Sequence, residues 1–582
     1  MSDDRALNIL KEYWGYDSFR PMQREIIDAA GSGKDVLAIL PTGGGKSVCF
    51  QVPALMKEGI ALVVTPLIAL MKDQVQNLAA RGVKALAVHT GMSRREVELV
   101  LNNAAYGDFK FLYLSPERLN TPLFKSFIGQ MNVSYIVIDE AHCISQWGYD
   151  FRPDYLNISE LRKTVDAPVI ALTATANPSV ADDIMDRLDF EGRLLLKSGF
   201  ERPNLSYIVR KCEDKLGRLL KICASVDGTG VVYVRSRKKT EELAAFLSGQ
   251  GISASFYHAG LGPETRSLRQ EKWKSGEIRI MVCTNAFGMG IDKADVRFVV
   301  HFDVPDSPEA YFQEAGRAGR DGRRSFAVLL WNSSDIRRLH QIETVSFPSL
   351  EYIEDSYHKV HTFYGIPYDT GEGSQIKFDL NGFCRHYSLN RSSAYYAVRY
   401  IEKAGHWTLM EDIDVNTKVC ITVDRTALYG LELPEPEMGI VLETLMRNYT
   451  GLFSFLVPID EEYVSARSGM TVPHLRQTLY KLSVEHIIRY IPCDRATVIY
   501  LHHDRLRPKN VNLMPERYGR LKDTAHARIQ EMIDYVTEED QCRSRFLLKY
   551  FGQEESSDCG TCDICRDTRS RLDDLRDKLD ND

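Results

Sequence analysis

Between residues 35 and 335 the chain repeats one pattern: a short run of Val, Ile and Leu, an amphipathic stretch of helical period, then another run. The runs read DVLAIL, IALVVTP, FKFLYLSP, YIVIDE and VIALTA, and after a break GVVYVRS, IRIMVCT, VRFVVHF and SFAVLL. A strand that is apolar at every position has no face to offer water. It must be covered on both sides, which helices crossing between parallel strands achieve. The break FEGRLLLKSGFERPNLSYIVRKCEDK begins at Phe190 and fits a link between two such sheets. The pattern predicts an α/β fold with two parallel-sheet domains, residues 1–204 and 205–336. A length of 582 residues leaves room for more.

Beyond 336 the pattern changes. We read 337–374 as a linker. KFDLNGFCRHYSLNRSSAYYAVRYIEKAGHWTLMED, from Lys377, then gives helix, turn, helix and an extended stretch. PIDEEYVSARSGMTVPHLRQTLYKLSVEHIIRYIP, from Pro458, gives the same order again. Both predict winged-helix-like units, at 375–430 and 431–507. Such units either contact DNA or merely brace a neighbour as small bundles, and the motif alone does not choose. DIDVNTKVCITV and RYIPCDRATVIY are the two candidate wings. Residues 508–566 read as a helical hairpin leading into four clustered cysteines, and 567–582 as a charged tail.

LAILPTGGGKSVCF is a buried strand, a glycine-rich turn and a helix. In that order, Gly43, Gly44 and Gly45 can turn backbone N–H groups toward phosphate without Cβ clashes. Lys46 would reach the β and γ phosphates of ATP and the Ser47 hydroxyl would ligate Mg²⁺. YIVIDEAH sets Asp139 and Glu140 at the end of another buried strand. Asp139 would hold Mg²⁺, and Glu140 would orient or deprotonate the attacking water. An Asp-Glu pair at a strand end is commonly just solvated; downstream of a phosphate loop it points to nucleotide hydrolysis. In YFQEAGRAGRDG, Arg317 and Arg320 stand three apart among glycines. They suit a compact loop that inserts guanidinium groups into the first domain's site, with Gln313 touching the γ-phosphate or the water.

Taken in order, GYDSFRPMQREII, LPTGGGKS, VVTPLIALMKDQV, YLSPERL, IDEAHCISQWGYDFRPDY, ALTATA, SGFERPN, VCTNAFGMGIDKADVRFVVHF and YFQEAGRAGRDG resemble a superfamily 2 DNA helicase of the RecQ family. The resemblance runs from about residue 5 to 335. It implies RecA-like domains and ATP-dependent unwinding with 3′ to 5′ movement on single-stranded DNA, on tailed or branched duplexes. It implies that Tyr16 stacks on adenine, that Gln23 reads its edge, and that Arg20 supports the nucleotide. Asp292 would couple the second domain to nucleotide and strand. Trp147 and Phe151, in the aromatic loop after Glu140, would stack on bases, a contact that tolerates any sequence. Thr65 and Arg152 would touch the DNA backbone. Two rival readings are a translocase or RNA helicase, and a winged-helix regulator with a vestigial ATPase.

Of 12 cysteines, only the last four cluster: Cys542, Cys559, Cys562 and Cys565, spaced C-x16-C-x2-C-x2-C. Four thiolates suit tetrahedral Zn²⁺ or an iron–sulfur cluster, and the scattered thiols elsewhere fit a reducing compartment better than disulfides. The text CR…LLKYFG…CGTCDIC is similar to the RecQ zinc-binding element, which implies Zn²⁺. In that family the element directly follows the motor. Here about 200 residues intervene. MSDDRALNIL lacks a signal peptide's apolar core, and no run approaches the ~20 apolar residues of a membrane span. The expected location is cytoplasmic, or nucleoid-associated if the source is bacterial, with no membrane partner. The net charge of −7 places any DNA contact in a local basic groove rather than in the total.

Overall fold

The computed structural model describes residues 4–568 apart from 42, 67, 90, 91, 93, 146–151, 288–292, 416, 424–432 and 493. It forms two compact units, one of residues 1–341 and 521–582, the other of residues 342–520.

The first unit holds both predicted sheets. Strands β1 (Val36–Ile39), β2 (Ile60–Val64), β3 (Ala85–Val88), β4 (Phe111–Leu114), β5 (Val133–Ile138), β6 (Val169–Thr173) and β7 (Leu194–Lys197) form a sheet in the order 3-4-2-5-6-1-7. Strands β8 (Leu205–Lys211), β9 (Thr229–Tyr233), β10 (Ala254–Tyr257), β11 (Ile280–Cys283), β12 (Val296–His301) and β13 (Ser325–Trp331) form a second, in the order 10-11-9-12-13-8. Every pairing in both sheets is parallel. The continuous apolar runs follow directly from this. In β2, Ile60, Leu62 and Val64 enter one core while Ala61 and Val63 enter another on the opposite face. Both sheets are thus sandwiched, and the loops at their carboxyl ends are left to build a site.

The second unit corrects three sequence expectations. Residues 337–374 are not a linker, because the Leu350–Phe363 helix lays Ile353, Tyr357 and Val360 into a core with Trp407. The rings of Tyr357 and Trp407 stack at 5.7 Å. The winged helices do not follow one another as 375–430 and 431–507; they are nested. Strands β14 (Gln375–Phe378), β15 (Trp407–Val415) and β19 (Asp494–Leu501) form one antiparallel sheet, and β16 (Lys418–Ile421), β17 (Val457–Pro458) and β18 (Ile488–Ile491) form another. Lastly, the two candidate wings are the two arms of a single ribbon. Val415 lies opposite Asp494, and Lys418 opposite Ile491, so beyond the irregularity between Met410 and Ile413 the pairing has the same register in both sheets. The inner winged helix is inserted at the end of the outer one's wing. Its own core gathers Val441, Leu445, Leu475, Leu479 and Leu482.

Candidate nucleotide site and zinc centre

The phosphate loop follows β1 and the acidic pair follows β5, with β6 between them. Parallel order puts all three carboxyl ends on one edge, so residues far apart in sequence meet there. Gly43 and Gly45 take φ of +83° and +79°, the left-handed region that costs other residues most. Gly45 serves a second purpose. A Cβ there would lie 2.3 Å from the Gln23 amide nitrogen. Because none is present, Gln23 donates to the carbonyls of Gly45 at 3.1 Å and Gly44 at 3.4 Å, and accepts the Arg20 amide at 2.9 Å. Arg20 in turn donates to the Gly43 carbonyl. The FRPMQ segment therefore shapes the phosphate loop itself. Tyr16, half exposed, lines the mouth of the same cavity.

Glu140 adopts φ 49° and ψ 49°, left-handed for a residue with a side chain, and its amide donates to Asp139 Oδ1 at 3.0 Å. A strained turn at this point directs both carboxylates into the cavity rather than along the strand. Burial and the adjacent Glu140 push the Asp139 carboxyl up to about 7, while Lys46, the Glu140 amide and Thr65 pull it down. An acidic pair held this way, beside Ser47, suits a divalent cation. His142 Nδ1 lies 3.4 Å from Glu140 Oε2 and 2.9 Å from the Thr173 hydroxyl, which accepts the Thr175 amide. His142 and ALTATA stood in the sequence as motif text without a role. The structure joins them into a buried link from β6 to Glu140.

The second domain supplies the opposite wall. A cavity of about 720 Å³ is lined by Lys46, Ser47, Asp139 and Glu140 on one side and by Gln313, Arg317 and Arg320 on the other. A Cβ placed on Gly43 would touch the Arg320 side chain at 3.4 Å, so the arginine reaches the phosphate loop. Arg317 is buried. The Tyr233 phenol, pushed up by burial, is drawn back by the Arg317 guanidinium against it. Glu314 bonds His301 Nε2 at 3.0 Å. Burial would raise the Glu314 carboxyl, but His301, Arg235 and Arg317 together hold it below its usual range.

The expected DNA-contact residues fare unevenly. Trp147 and Phe151 lie outside the described residues, as does Asp292, expected to couple the second domain to nucleotide and strand. Thr65 is 1% exposed and its side chain interacts with the Asp139 carboxylate. Arg152 donates to the Pro66 carbonyl at 3.2 Å.

The thiols of Cys542, Cys559, Cys562 and Cys565 lie within 4.8 Å of one another. Cys542 Sγ and Cys562 Sγ are 3.9 Å apart, too far for a disulfide. Zinc–sulfur bonds of about 2.3 Å in a tetrahedron demand a sulfur separation of about 3.8 Å. The backbone amides of Cys559, Cys562 and Cys565 point at thiol sulfurs at 3.3, 3.3 and 3.4 Å, a donor shell that favours thiolates. The residues fit Zn²⁺. Asp563, buried, bonds Arg543 at 3.2 Å and accepts the Val209 amide at 3.0 Å, which ties the element to β8, the edge strand of its sheet.

Two parallel-sheet domains that close on a shared phosphate loop define the class of two-domain, RecA-like P-loop proteins. Comparison with known proteins places the chain within it. Residues 20–184 match the DEAD/DEAH box helicase model and 213–322 the helicase conserved C-terminal domain. Residues 419–492 match the RecQ helicase winged-helix domain of Bacteroidota, and 503–566 the RecQ zinc-binding model. The ATP-dependent DNA helicase RecQ of Pasteurella multocida is 44% identical over 342 residues, 58% of this chain and 54% of that protein. The RecQ of Haemophilus influenzae is 42% identical over 339 residues, 58% and 55% of the two chains. The Bacillus subtilis protein named "Probable ATP-dependent DNA helicase RecS" is 43% identical over 352 residues, 60% of this chain and 71% of that one. The chain thus spans about half the length of the two RecQ proteins and a larger share of the third. The chain belongs to the RecQ family of superfamily 2 helicases.

Proposed function

We propose that this chain is a Mg²⁺-dependent ATPase whose hydrolysis drives 3′ to 5′ movement along single-stranded DNA and opens tailed or branched duplexes. The observation that carries the reading is the contact of Arg320 with the phosphate loop in a cavity that also holds Lys46 and Asp139. Lys46 neutralises the β and γ phosphates. Ser47 and Asp139 hold Mg²⁺, whose bound charge favours the ionised carboxylate. Glu140 orients the attacking water and passes its proton toward His142. Arg317 and Arg320 neutralise charge that grows on the transferring phosphoryl group, which makes hydrolysis depend on closure of the two domains. Adenine stacks on Tyr16, and Gln23 reads its edge when it leaves the Gly45 carbonyl. Trp147 and Phe151 stack on bases, with Arg152 on the backbone and Asp292 linking strand to nucleotide. Zn²⁺ fixes the fold of an element with little core of its own. The chain acts in the cytoplasm, at DNA. No helix among the described residues is long and apolar enough to cross a membrane.

ATP turnover measured without nucleic acid, then with single-stranded DNA, duplex DNA and RNA, tests this reading. Stimulation by single-stranded DNA together with unwinding of a 3′-tailed duplex is expected. Turnover indifferent to all four conditions would overturn the motor, and stimulation by RNA alone would transfer it to the RNA helicases.

A further inference from the structure

The linker between the two parallel-sheet domains carries a contact that no local sequence signal announces. Arg202 extends to the loop that bears the two arginines. Its guanidinium donates to the carbonyls of Gly316 at 3.2 Å, Ala318 at 2.8 Å and Gly319 at 3.1 Å. These carbonyls stand just past the Pro308–Ala315 helix, where acceptors lack intrahelical partners and the helix dipole favours a cation. One rigid, planar fork holds three of them in a fixed geometry, whereas an ammonium offers its three donors from a single point. Asn204, two residues on, donates to the Gly319 carbonyl at 2.7 Å and the Arg323 carbonyl at 3.0 Å. Gly319 has φ +65°, and a Cβ there would lie 2.5 Å from the Asn204 amide nitrogen. The glycine spacing of GRAGRDG thus lets the linker close on the loop.

The other side of the linker is held by the zinc-binding element. Lys197 donates to the Phe551 carbonyl, the Phe200 amide donates to Gln553 Oε1 at 3.2 Å, and Gln553 donates back to Glu201. Phe551 packs on Phe200 at 5.2 Å and on Phe312, next to Gln313, at 4.9 Å.

We propose that Arg202 is a positioning residue for Arg317 and Arg320: by capping the carbonyls on both sides of Arg317 it sets how the two arginines enter the nucleotide cavity, with the zinc-binding element anchoring the linker that carries it. This rests on the ATPase reading above. Arg202 touches no phosphate and acts through the loop. Misplacing a catalytic group by about 1 Å can cost roughly 100-fold in rate.

The test is steady-state ATP turnover at saturating single-stranded DNA for the full chain, Arg202→Met, Arg202→Lys, Arg320→Ala and the Arg202→Met/Arg320→Ala double variant, with zinc content and thermal midpoint recorded. Arg202→Met is expected to lower kcat about 100-fold while KM for ATP stays within about threefold, and Arg202→Lys to recover part of the loss. In the Arg320→Ala background, Arg202→Met is expected to add clearly less than its loss in the parent, because only Arg317 is left to misplace. A full additional loss in that background, or a kcat within twofold of the parent in Arg202→Met, would overturn the proposal. If Arg202→Met loses zinc or its folded signal, Arg202→Lys is compared in the same two backgrounds under the same criterion. A parent chain without turnover would instead strike the ATPase reading itself.

Discussion

Both units bury charge, but they use it in opposite ways. In the first unit, Arg317, Glu314 and His301 are buried behind a cavity wall, and Arg317 and Arg320 open onto that cavity. In the second unit the buried charge closes on its own backbone. Arg505 donates to the Ile366 carbonyl at 2.7 Å and to the Thr362 hydroxyl at 2.9 Å, and its guanidinium lies 4.1 Å from the centre of the Tyr368 ring. His361 Nδ1 sits 2.9 Å from the Tyr357 carbonyl. On the inner winged helix, the basic side chains of the Val472–Val484 helix each face a glutamate: His474 with Glu437 at 3.1 Å, Arg476 with Glu461 at 2.6 Å, Lys481 with Glu435 at 2.5 Å. A buried charge facing a cavity can act on a ligand; one enclosed by carbonyls and carboxylates holds a fold. A helix whose positive groups are already paired makes a weak phosphate reader, so the position of a winged helix does not by itself assign it to DNA.

This contrast can be broken most severely at Lys46. Lys46→Ala should lower ATP turnover by at least about 100-fold, as loss of a preorganised electrostatic group does, with the thermal midpoint unchanged; normal turnover would show that the cavity charge is idle. Arg505→Ala should do the reverse. It should cost the second unit about 3 kcal/mol by stranding buried carbonyls, seen in urea unfolding, and leave turnover without DNA as it was. Acid should sharpen the same point. Burial depresses the His361 imidazole to about 4. The unfolded chain therefore takes up a proton at about pH 6.5 that the folded unit refuses, and stability falls as pH drops from about 6.5 to 4, by about 3 kcal/mol. Urea midpoints at stepped pH would show this slope, and His361→Phe should flatten it. The smallest effect belongs to the surface pairs. Glu435→Gln should cost only about 0.2–1 kcal/mol, measured in the same way, and a larger loss would mean that the pairing supports the fold.

What the sequence disclosed followed the range of the interactions involved. The phosphate loop is local: a strand, three glycines and a helix in one stretch, with Lys46 and Ser47 placed by the turn itself. Nine of the thirteen strands were legible because burial on two faces leaves an unbroken apolar run; the four edge strands were not, since β3 and β10 are only partly buried and β7 and β8 lie within the stretch read as a link. The four cysteines were legible because metal spacing is short. The nested winged helices were not. Strand β15 finds its partner in β19 across an entire inserted domain, and nothing local marks that Asp494–Leu501 belongs with Trp407–Val415. Residues 337–374 were misread as a linker although Ile353, Tyr357 and Val360 already stood at helical spacing. Gln23 was expected on adenine, and its hold on the phosphate loop depends on the missing Cβ of Gly45, which only coordinates reveal. The support behind Arg317 was invisible for the same reason. Tyr233, His301, Glu314 and Arg202 come from four separate segments, and only the fold assembles them.

Hydrolysis shared between two domains is most directly measured as single-turnover ATP cleavage by Arg320→Ala, beside equilibrium binding of a non-hydrolysable ATP analogue. If Arg320 completes the pocket across the domain boundary, cleavage falls about 1,000-fold while analogue affinity stays within a few-fold. Cleavage at the parent rate would mean that one domain hydrolyses alone and that the contact between Arg320 and the Gly43 loop has no part in the chemistry.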